Sequence, residues 1–541
     1  MPTITFDKKE LLTLVGKKMK DEELENLINS LKPNVEKITE NEVVIEFTSD
    51  RVDYFSIEGL ARSIRSYLGL KNQELKIQKP KIVVTYESVP VRPYIACAVV
   101  RNLELTDSLI KSLMNLQEVI HENYGRKRKK VAIGLHDLEK IKGQIKYTGA
   151  SREEKFVPLG EREEMSLIEV LAKTEKGKKY GHIISSANKW PVFVDEIGIF
   201  SFPPILNSDR TKVTEETKNI FIDITGTDKN AVNNVLNIFS LVFLERGATV
   251  EAVKIKGERE EITPKFLERA IEITKDDVKK FLGIDLDEES IKKLLEKMDY
   301  KVSLTKQKII AIIKPYRVDV ISKFDVLEDI AIAFGYENFE PELPNVFTQG
   351  EVHKIEKISD EVREVLVGYG FQEVVRPILT NQKLQFEKMN LKNGETIKIL
   401  NPVSELYTEL RVWLLPGLLD FLAKNTRESY PQKVFEIGDV VLKDETKETN
   451  SINIRKVAGV VADNTSFFSG VKRIVLEVSK IFKKEVSFEE MSHPSFIEGR
   501  AAKVVLNGKE IGFIGEINPL VLENFKIYMP VSTFELSLED F

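Results

Sequence analysis

The stretch TKDDVKKFLGIDLDEESIKKLLEKMDYKVSLTKQKIIAIIK (274–314) reads as two short helices followed by a β-hairpin. Thr274 supplies a hydroxyl to the orphan amides of a first helical turn, and Val278, Phe281 and Leu282 make that helix's apolar side. Gly283 ends it, being free to adopt the left-handed conformation a helix end needs. Asp287 caps the next helix, with Ile291, Leu294, Leu295 and Met298 on one stripe at helical spacing. Strands at 300–304 and 308–314 follow. Two helices and a hairpin give a winged-helix-like order. Nucleic-acid binders and protein–protein modules share that order, so it leaves both open.

Immediately beyond lies PYRVDVISKFDVLEDIAIAFGY (315–336). Asp325, Glu328 and Asp329 stand at i, i+3 and i+4, which stacks their carboxylates on one helix face. Asp319, one short turn earlier, reaches toward the same point. Four such groups repel one another unless a cation or an arginine neutralises them. Mg²⁺ accepts oxygen ligands and keeps waters in its other positions, so the spacing suits it. Ordinary acidic residues near a helix amino end give the same pattern.

Working outward, residues 1–75 read as an α+β unit. PTITF is a strand, Asp7 with Glu10 resembles a capping box, and Leu24, Leu27, Ile28 and Leu31 line a second helix that stops near Pro33. EVVIEF (42–47) is a strand, and SDRVDYFSIEGLARSIRSYLGL (49–70) enters an amphipathic helix closed at Gly69. After a Lys-rich linker, residues 82–255 alternate strands (95–100, 131–135, 192–194, 219–224, 250–254) with a helix over about 106–123. FSFPPILNSDRTKVTEET (200–217) is rich in Pro, Ser, Asn and Thr and reads as an irregular loop, the usual place for a ligand. Residues 262–340 hold the helices and hairpin above. From 345 to 541 a larger unit begins with a helix bearing Ile358, Val362, Val365 and Leu366, and continues as an antiparallel sheet with strands at 433–442, 455–462, 502–506 and 510–517. Asn507-Gly508 makes the tight turn between the last two. The whole is a multidomain α+β chain.

Composition narrows the function. The 541 residues are 42% hydrophobic and 31% charged, with a net charge of −6, so the chain is globular and no polycation. One cysteine, Cys97, excludes an internal disulfide and a Cys-based zinc site, which fits a reducing cytoplasm. The sequence has neither an apolar run long enough to span a membrane nor a signal-peptide pattern at its amino end. The five histidines (121, 136, 182, 353 and 493) show no ligand spacing, and no phosphate-binding glycine motif is present.

Two segments carry further chemistry. GRKRKK (125–130) places Arg126, Lys127, Arg128, Lys129 and Lys130 in one run, either a solvated face or a phosphate contact. In FIDITGTD (221–228), period-two alternation puts Asp223 and Thr225 on the same side of a strand. A carboxylate and a hydroxyl there read a phenol or an amine by hydrogen bonds, or simply finish a strand end.

Taken in order, SDRVDYFSIEGLARSIRSYLG, GRKRKKVAIGLHDL, SFPPILNSDRT, FIDITGTD, PYRVDVISKFDVLEDIAIAFGY, NPVSELYTELRVWLLPGLL (401–419), VFEIGDVV (434–441) and HPSFIEGRAAKVVLNGKEIGFIGEINPLVL (493–522) resemble the β subunit of phenylalanine–tRNA ligase, in its archaeal and eukaryotic cytosolic form. Asp50 stands where that family often has Asn.

The resemblance implies a B3/B4 editing module at 82–255, a B5 module at 262–340, and a class II synthetase-like core at 345–541 that has lost catalysis. It places Mg²⁺ at Asp319, Asp325, Glu328 and Asp329, against an α subunit. It implies a cytoplasmic α₂β₂ enzyme that joins phenylalanine to tRNA(Phe), with ATP and phenylalanine bound on the α subunit and no membrane association. Class II chemistry sets an arginine after the motif 2 phenylalanine to grip ATP phosphate. Here Glu436 follows Phe435, Arg500 after Gly499 is at most a relic, and no aminoacylation residue is expected on this chain. The helix before GYGF (368–371) is expected to pack on the partner's core.

Editing removes tyrosine, which exceeds phenylalanine by one hydroxyl that an apolar pocket rejects only weakly. Chemistry and resemblance together select Gln117, Arg128, Ser201, Asn207, Asp223 and Thr225 as the pocket, acting through a positioned water, with Arg126, Lys127, Lys129 and Lys130 touching tRNA. A non-catalytic RNA-binding scaffold and a self-sufficient ligase are the rivals. Tyr-tRNA deacylation and partner-free pyrophosphate exchange separate them.

Overall fold

Thr274 and Asp287 cap the helices Lys275–Leu282 and Glu288–Lys297, and Gly283 ends the first at φ 76°. The strands Lys301–Leu304 and Ile309–Ile313 make the hairpin. A third strand, Arg269–Ile273, lies on its other side and pairs with Ile309–Ile313. The computed structural model describes residues 1–257, 260–305, 308–344 and 346–541. Residue 345, where the last module is expected to start, lies outside the described residues.

The chain folds as two units, Met1–Leu343 and Pro344–Phe541. In the first unit, one apolar core runs from Ile4 to Ala333, so the segments read as three modules share their packing. The helix Lys229–Glu245 is central to it: Val235, Leu236, Phe239 and Phe243 are fully buried. Asn237 of that helix donates Nδ2 to the carbonyls of Lys265 and Pro315, fixing the hairpin module to it. Among the described residues no helix is long and apolar enough to cross a membrane.

The helix Ile57–Tyr67 is buried nearly all round, where the sequence suggests one wet face. Its charged residues are paired instead of solvated. Glu58 meets Arg246 at 2.7 Å, and Arg62 meets both Glu245 and Asp299 at 2.7 Å. Burial of these ions is tolerated only because each has a partner.

Arg51-Val52-Asp53 and Arg317-Val318-Asp319 repeat one device. In each, the arginine grips the aspartate two residues on through two nitrogens, with Nη2 at 2.7 Å. A serine N-cap (Ser56 or Ser322) then starts a helix at the same spacing. The two copies face each other, Arg51 Nε lying 3.9 Å from Asp319.

A ten-stranded sheet carries the middle of this unit. Its order runs from Leu206–Asn207 through Ile199–Phe202, Trp190–Val194, Ile145–Ala150, Ile77–Tyr86, Thr249–Lys256, Tyr94–Arg101 and Ile220–Gly226 to Val131–Asp137, with Glu260–Thr263 beside Thr249–Lys256. The segment 200–217, expected as a loop, begins inside the strand Ile199–Phe202. Leu206–Asn207 folds back on that strand, setting Ser201 opposite Asn207.

The second unit is a seven-stranded sheet, antiparallel apart from its parallel edge pair Gln372–Glu373 with Gln432–Lys443. Asn507 and Gly508 turn the hairpin Phe496–Leu506/Lys509–Ile517 with φ of 52° and 81°, the doubly left-handed turn their chemistry favours. The helix Lys354–Gly368 buries Ile358, Val362 and Leu366 in this unit's own core and leaves Val367 exposed on another side. Each such side chain contributes roughly 1.5–3 kcal/mol when removed from water, so the nearest apolar surface, its own sheet, takes them.

Candidate active site

A cavity of about 180 Å³ opens between the helix Asp107–Glu122, the strand Val131–Asp137 and the segment 201–213. Apolar side chains including Leu113, Ile133, Leu135 and Ile205 make most of its wall. A cavity of about 150 Å³ accepts benzene, so one aromatic ring fits. Gln117, Arg128, Ser201, Asn207 and Asp223 all line it. Five of the six expected pocket residues, far apart in sequence, therefore meet.

Each is held by the fold. Gln117 donates Nε2 to the Ile133 carbonyl at 2.5 Å, and His121, one helical turn on, accepts the Ile133 amide at Nε2, 2.9 Å away. Burial depresses the His121 imidazole to about 4. Ser201 is buried, and its hydroxyl has no hydrogen-bond partner among the described residues. Asn207 donates weakly to the Leu135 carbonyl at 3.3 Å. Asp223, 1% exposed, is bonded through Oδ2 to His136 Nε2 at 2.7 Å. Its other oxygen has no partner among the described residues.

Thr225 is the exception. It shares a face with Asp223 but does not line the cavity: its hydroxyl accepts from Arg92 Nε at 2.8 Å, and its carbonyl from Nη2 at 2.9 Å. Arg92 is fully buried and, among the described residues, has no carboxylate contact; burial lowers its guanidinium to about 10. It also donates to the Arg128 carbonyl, tying the basic run to the strand Ile220–Gly226.

The basic run is a tight turn in which Arg126, Lys127 and Arg128 all take positive φ (49°, 53° and 65°). A left-handed conformation costs roughly 1–2 kcal/mol per non-glycine residue, so the surrounding contacts hold it in place. Arg128 makes those contacts. It is 4% exposed, donates to the carbonyls of Pro204 and Ile205 at 3.1 and 3.0 Å and to Glu118 at 2.7 Å, and lies over the Tyr180 ring. Arg126, Lys127 and Lys129 are exposed, while Lys130 is partly covered beside Asp228 and Tyr124.

The spacing of the sequence gives no sign of two contributors. His136 sits in the run VAIGLHD with no ligand pattern around it, and Lys176 in the unremarkable TEKGKKYG. Lys176 lines the cavity with Lys212, and burial lowers its ammonium.

The four carboxylates do not assemble into a cation site. Arg317 takes Asp319 at 2.7 Å and Asp329 at 2.6 Å. Burial raises the Asp319 carboxyl, but Arg317 and Arg51 outweigh it and hold the group well below the carboxylate range. Tyr300 adds a hydrogen bond to Asp329 at 2.6 Å. Asp325 caps its own helix, accepting from the Ser322 amide at 2.6 Å, and Glu328 reaches Lys32 at 2.8 Å. Among the described residues no three such groups converge as a metal requires. The residues thus do not fit Mg²⁺ in this arrangement, and Arg317 supplies the neutralising charge.

In the second unit, Glu436 is buried and paired with Arg411 at 2.6 Å, and Arg500 is engaged by Glu516 at 2.8 Å.

Comparison with known proteins matches successive stretches of the chain to three family models. Residues 340–538 match the phenylalanyl tRNA synthetase beta chain CLM domain, 271–336 the tRNA synthetase B5 domain, and 100–259 the B3/4 domain. The chain is thus of the aminoacyl-tRNA synthetase class, and all the cavity residues fall within the B3/4 match. It is 42% identical to the phenylalanine–tRNA ligase beta subunit of Thermococcus gammatolerans, over 99% of this chain and 98% of that one. It is 40% identical to that of Methanocaldococcus jannaschii, over the full length of both. A crystal structure of an N-terminal fragment of the Pyrococcus horikoshii phenylalanyl-tRNA synthetase beta subunit superposes with a TM-score of 0.60 at 35% identity, covering 62% of this chain and all of the fragment. The chain belongs to the phenylalanine–tRNA ligase beta subunit family.

Proposed function

We propose that this chain is the proofreading subunit of an α₂β₂ ligase, hydrolysing tyrosine wrongly attached to tRNA(Phe). A companion α subunit binds ATP and phenylalanine and charges the tRNA in the cytoplasm. The observation that carries the reading is the ring-sized apolar cavity with one oxygen of the buried Asp223 carboxylate left unpaired. A tyrosyl ring enters the cavity, and its phenol donates to that oxygen. Phenylalanine would leave the carboxylate desolvated and unpaired, which disfavours the correct product and spares it.

The ester then lies toward the mouth, where Gln117, Asn207 and the Ser201 hydroxyl offer polar contacts for the carbonyl and a water. Among the described residues no base touches Ser201, and Cys97 is buried in the sheet with its amide on Thr263. Direct attack by a positioned water therefore suits the cavity better than a covalent acyl-enzyme. Lys176 and Lys212 at the rim, with the exposed cations of the 126–130 turn, suit the phosphates of a tRNA end. The helper role for the second unit rests on Glu436, whose charge in the motif 2 position opposes a phosphate and whose partner is internal.

The test is deacylation of Tyr-tRNA(Phe) by the assembled enzyme. Wild type should release tyrosine, and Asp223→Ala or Asn207→Ala should abolish release while Phe-tRNA formation persists. An enzyme that never releases tyrosine would make the chain a scaffold. Phenylalanine-dependent pyrophosphate exchange by the purified chain alone would overturn the helper role.

A further inference from the structure

We infer that His136, backed by Thr211, orients the Asp223 carboxylate, making His136 a positioning residue for recognition of the phenol. This rests on the proofreading reading of the cavity and names what keeps its key acceptor in place. His136, Asp223 and Thr211 are all buried, at 0%, 1% and 0% exposure. They form one chain: Thr211 Oγ1 lies 2.9 Å from His136 Nδ1, and His136 Nε2 lies 2.7 Å from Asp223 Oδ2.

An ionised carboxylate only accepts, so Nε2 carries the imidazole proton, and Nδ1 accepts the Thr211 hydroxyl. All the donors then run toward Asp223. One carboxylate oxygen is consumed and the other is left for a ligand. Without His136 the carboxylate would be free to turn, and its open oxygen would no longer be held toward the cavity.

The ring itself is locked. Phe200 meets it edge to face at 5.0 Å between centroids, and Phe221 lies on another side at 6.5 Å. Gly134, on the same strand face, leaves the space beside both groups open: a Cβ there would lie 2.8 Å from His136 Nε2. Thr211 ends the short turn Asp209–Thr211, so the segment 200–217 supplies both cavity wall and the far end of the relay.

The experiment compares kcat and KM for deacylation of tRNA(Phe) carrying tyrosine or phenylalanine, using the assembled two-subunit enzyme. His136→Phe keeps an aromatic filling and removes both nitrogens. It should lower the tyrosine-over-phenylalanine preference by about tenfold or more, mainly through KM for the tyrosyl substrate. His136→Gln returns an N–H near the Nε2 position and should stay within about threefold of wild type. Thr211→Val should shift the preference in the same direction as His136→Phe, which keeps the inference testable if that variant fails to fold. A folded His136→Phe with wild-type preference, while Asp223→Ala has lost it, overturns the inference and leaves the proofreading reading standing. Loss of the preference in His136→Gln with retention in His136→Phe would reduce His136 to packing and overturn it as well. A wild-type enzyme without tyrosine preference removes both.

Discussion

Gly134 and Asp223 are direct cross-strand partners, and a methyl group on Gly134 would overlap the Asp223 carboxylate. Glycine there leaves room for the hydrogen bond between Asp223 Oδ2 and His136 Nε2 that sets the carboxylate. Gly134→Ala should reduce Tyr-tRNA deacylation by at least about tenfold, because either the methyl or the displaced carboxylate fills the place of the phenol. Charging of phenylalanine is measured alongside and should be unchanged. Full deacylation by this variant would mean that the phenol binds elsewhere.

His121 links the cavity wall to pH. Burial depresses its imidazole to about 4 against an ordinary value of 6.5. Between those values the unfolded chain binds a proton that the folded one does not, so stability falls as pH drops from about 6.5 toward 4. The loss amounts to about 3 kcal/mol when complete. Chemical unfolding at pH 7, 5.5 and 4 should show it. His121→Gln keeps an acceptor for the Ile133 amide and should flatten that part of the profile. An unchanged profile in the variant assigns the acid sensitivity to other groups.

The basic turn divides into two kinds of cation. Arg126, Lys127 and Lys129 are exposed, whereas Arg128 is spent on Pro204, Ile205 and Glu118. Replacing the three exposed cations by Gln should reduce the slope of log K against log salt for tRNA binding by about 0.7–0.9 per lost phosphate contact. Arg128→Gln should leave the slope nearly unchanged and impair deacylation by releasing the cavity wall. An unaltered slope in the triple variant marks the turn as a solvated face.

The sequence is legible where an element depends on local chemistry. Thr274, Gly283, Asp287 and the Asn507-Gly508 pair each stand where capping and turn rules put them, and the spacing of Asp325, Glu328 and Asp329 correctly implies one helix. It is opaque where the answer depends on which distant group arrives first. Alternation placed Asp223 and Thr225 on one face, but nothing local tells that Arg92 takes Thr225 and leaves Asp223 to His136. A single histidine in an apolar run has no spacing to read. The strand Arg269–Ile273 has no local signature, because its charged, half-exposed pattern is fixed as a strand only through pairing with Ile309–Ile313.

Glu436 and Arg411 are worth testing as a pair. Both are buried, burial raises the Glu436 carboxyl, and its second oxygen has no partner among the described residues. Arg411→Leu should destabilise the second unit by about 3–5 kcal/mol, since it strands a buried charge. Arg411→Leu with Glu436→Leu should recover much of that loss, because the desolvation cost disappears with the pair. Thermal unfolding of the assembled protein reads both. A mild single variant would show that water reaches Glu436.

The carboxylate cluster makes a last, ordered prediction. If Arg317 is the neutralising group, the four acids differ in worth according to what each holds. Asp329 carries both Arg317 and Tyr300, so Asp329→Asn should cost the most, about 3–5 kcal/mol. Asp325→Ala removes a helix cap and should cost about 1 kcal/mol. Glu328→Ala breaks only a half-exposed contact with Lys32, worth at most about 1 kcal/mol. A shared cation predicts a different ranking: all four ligands would matter similarly, and only when the ion is supplied. For Mg²⁺ to bind here, Arg317 must first release Asp319 and Asp329, so added Mg²⁺ would raise the wild-type unfolding midpoint and leave Asp329→Asn unmoved. Unfolding of the three variants with Mg²⁺ and with a chelator therefore distinguishes an arginine clamp from a metal site, and a graded, Mg²⁺-independent series is the result expected from the geometry.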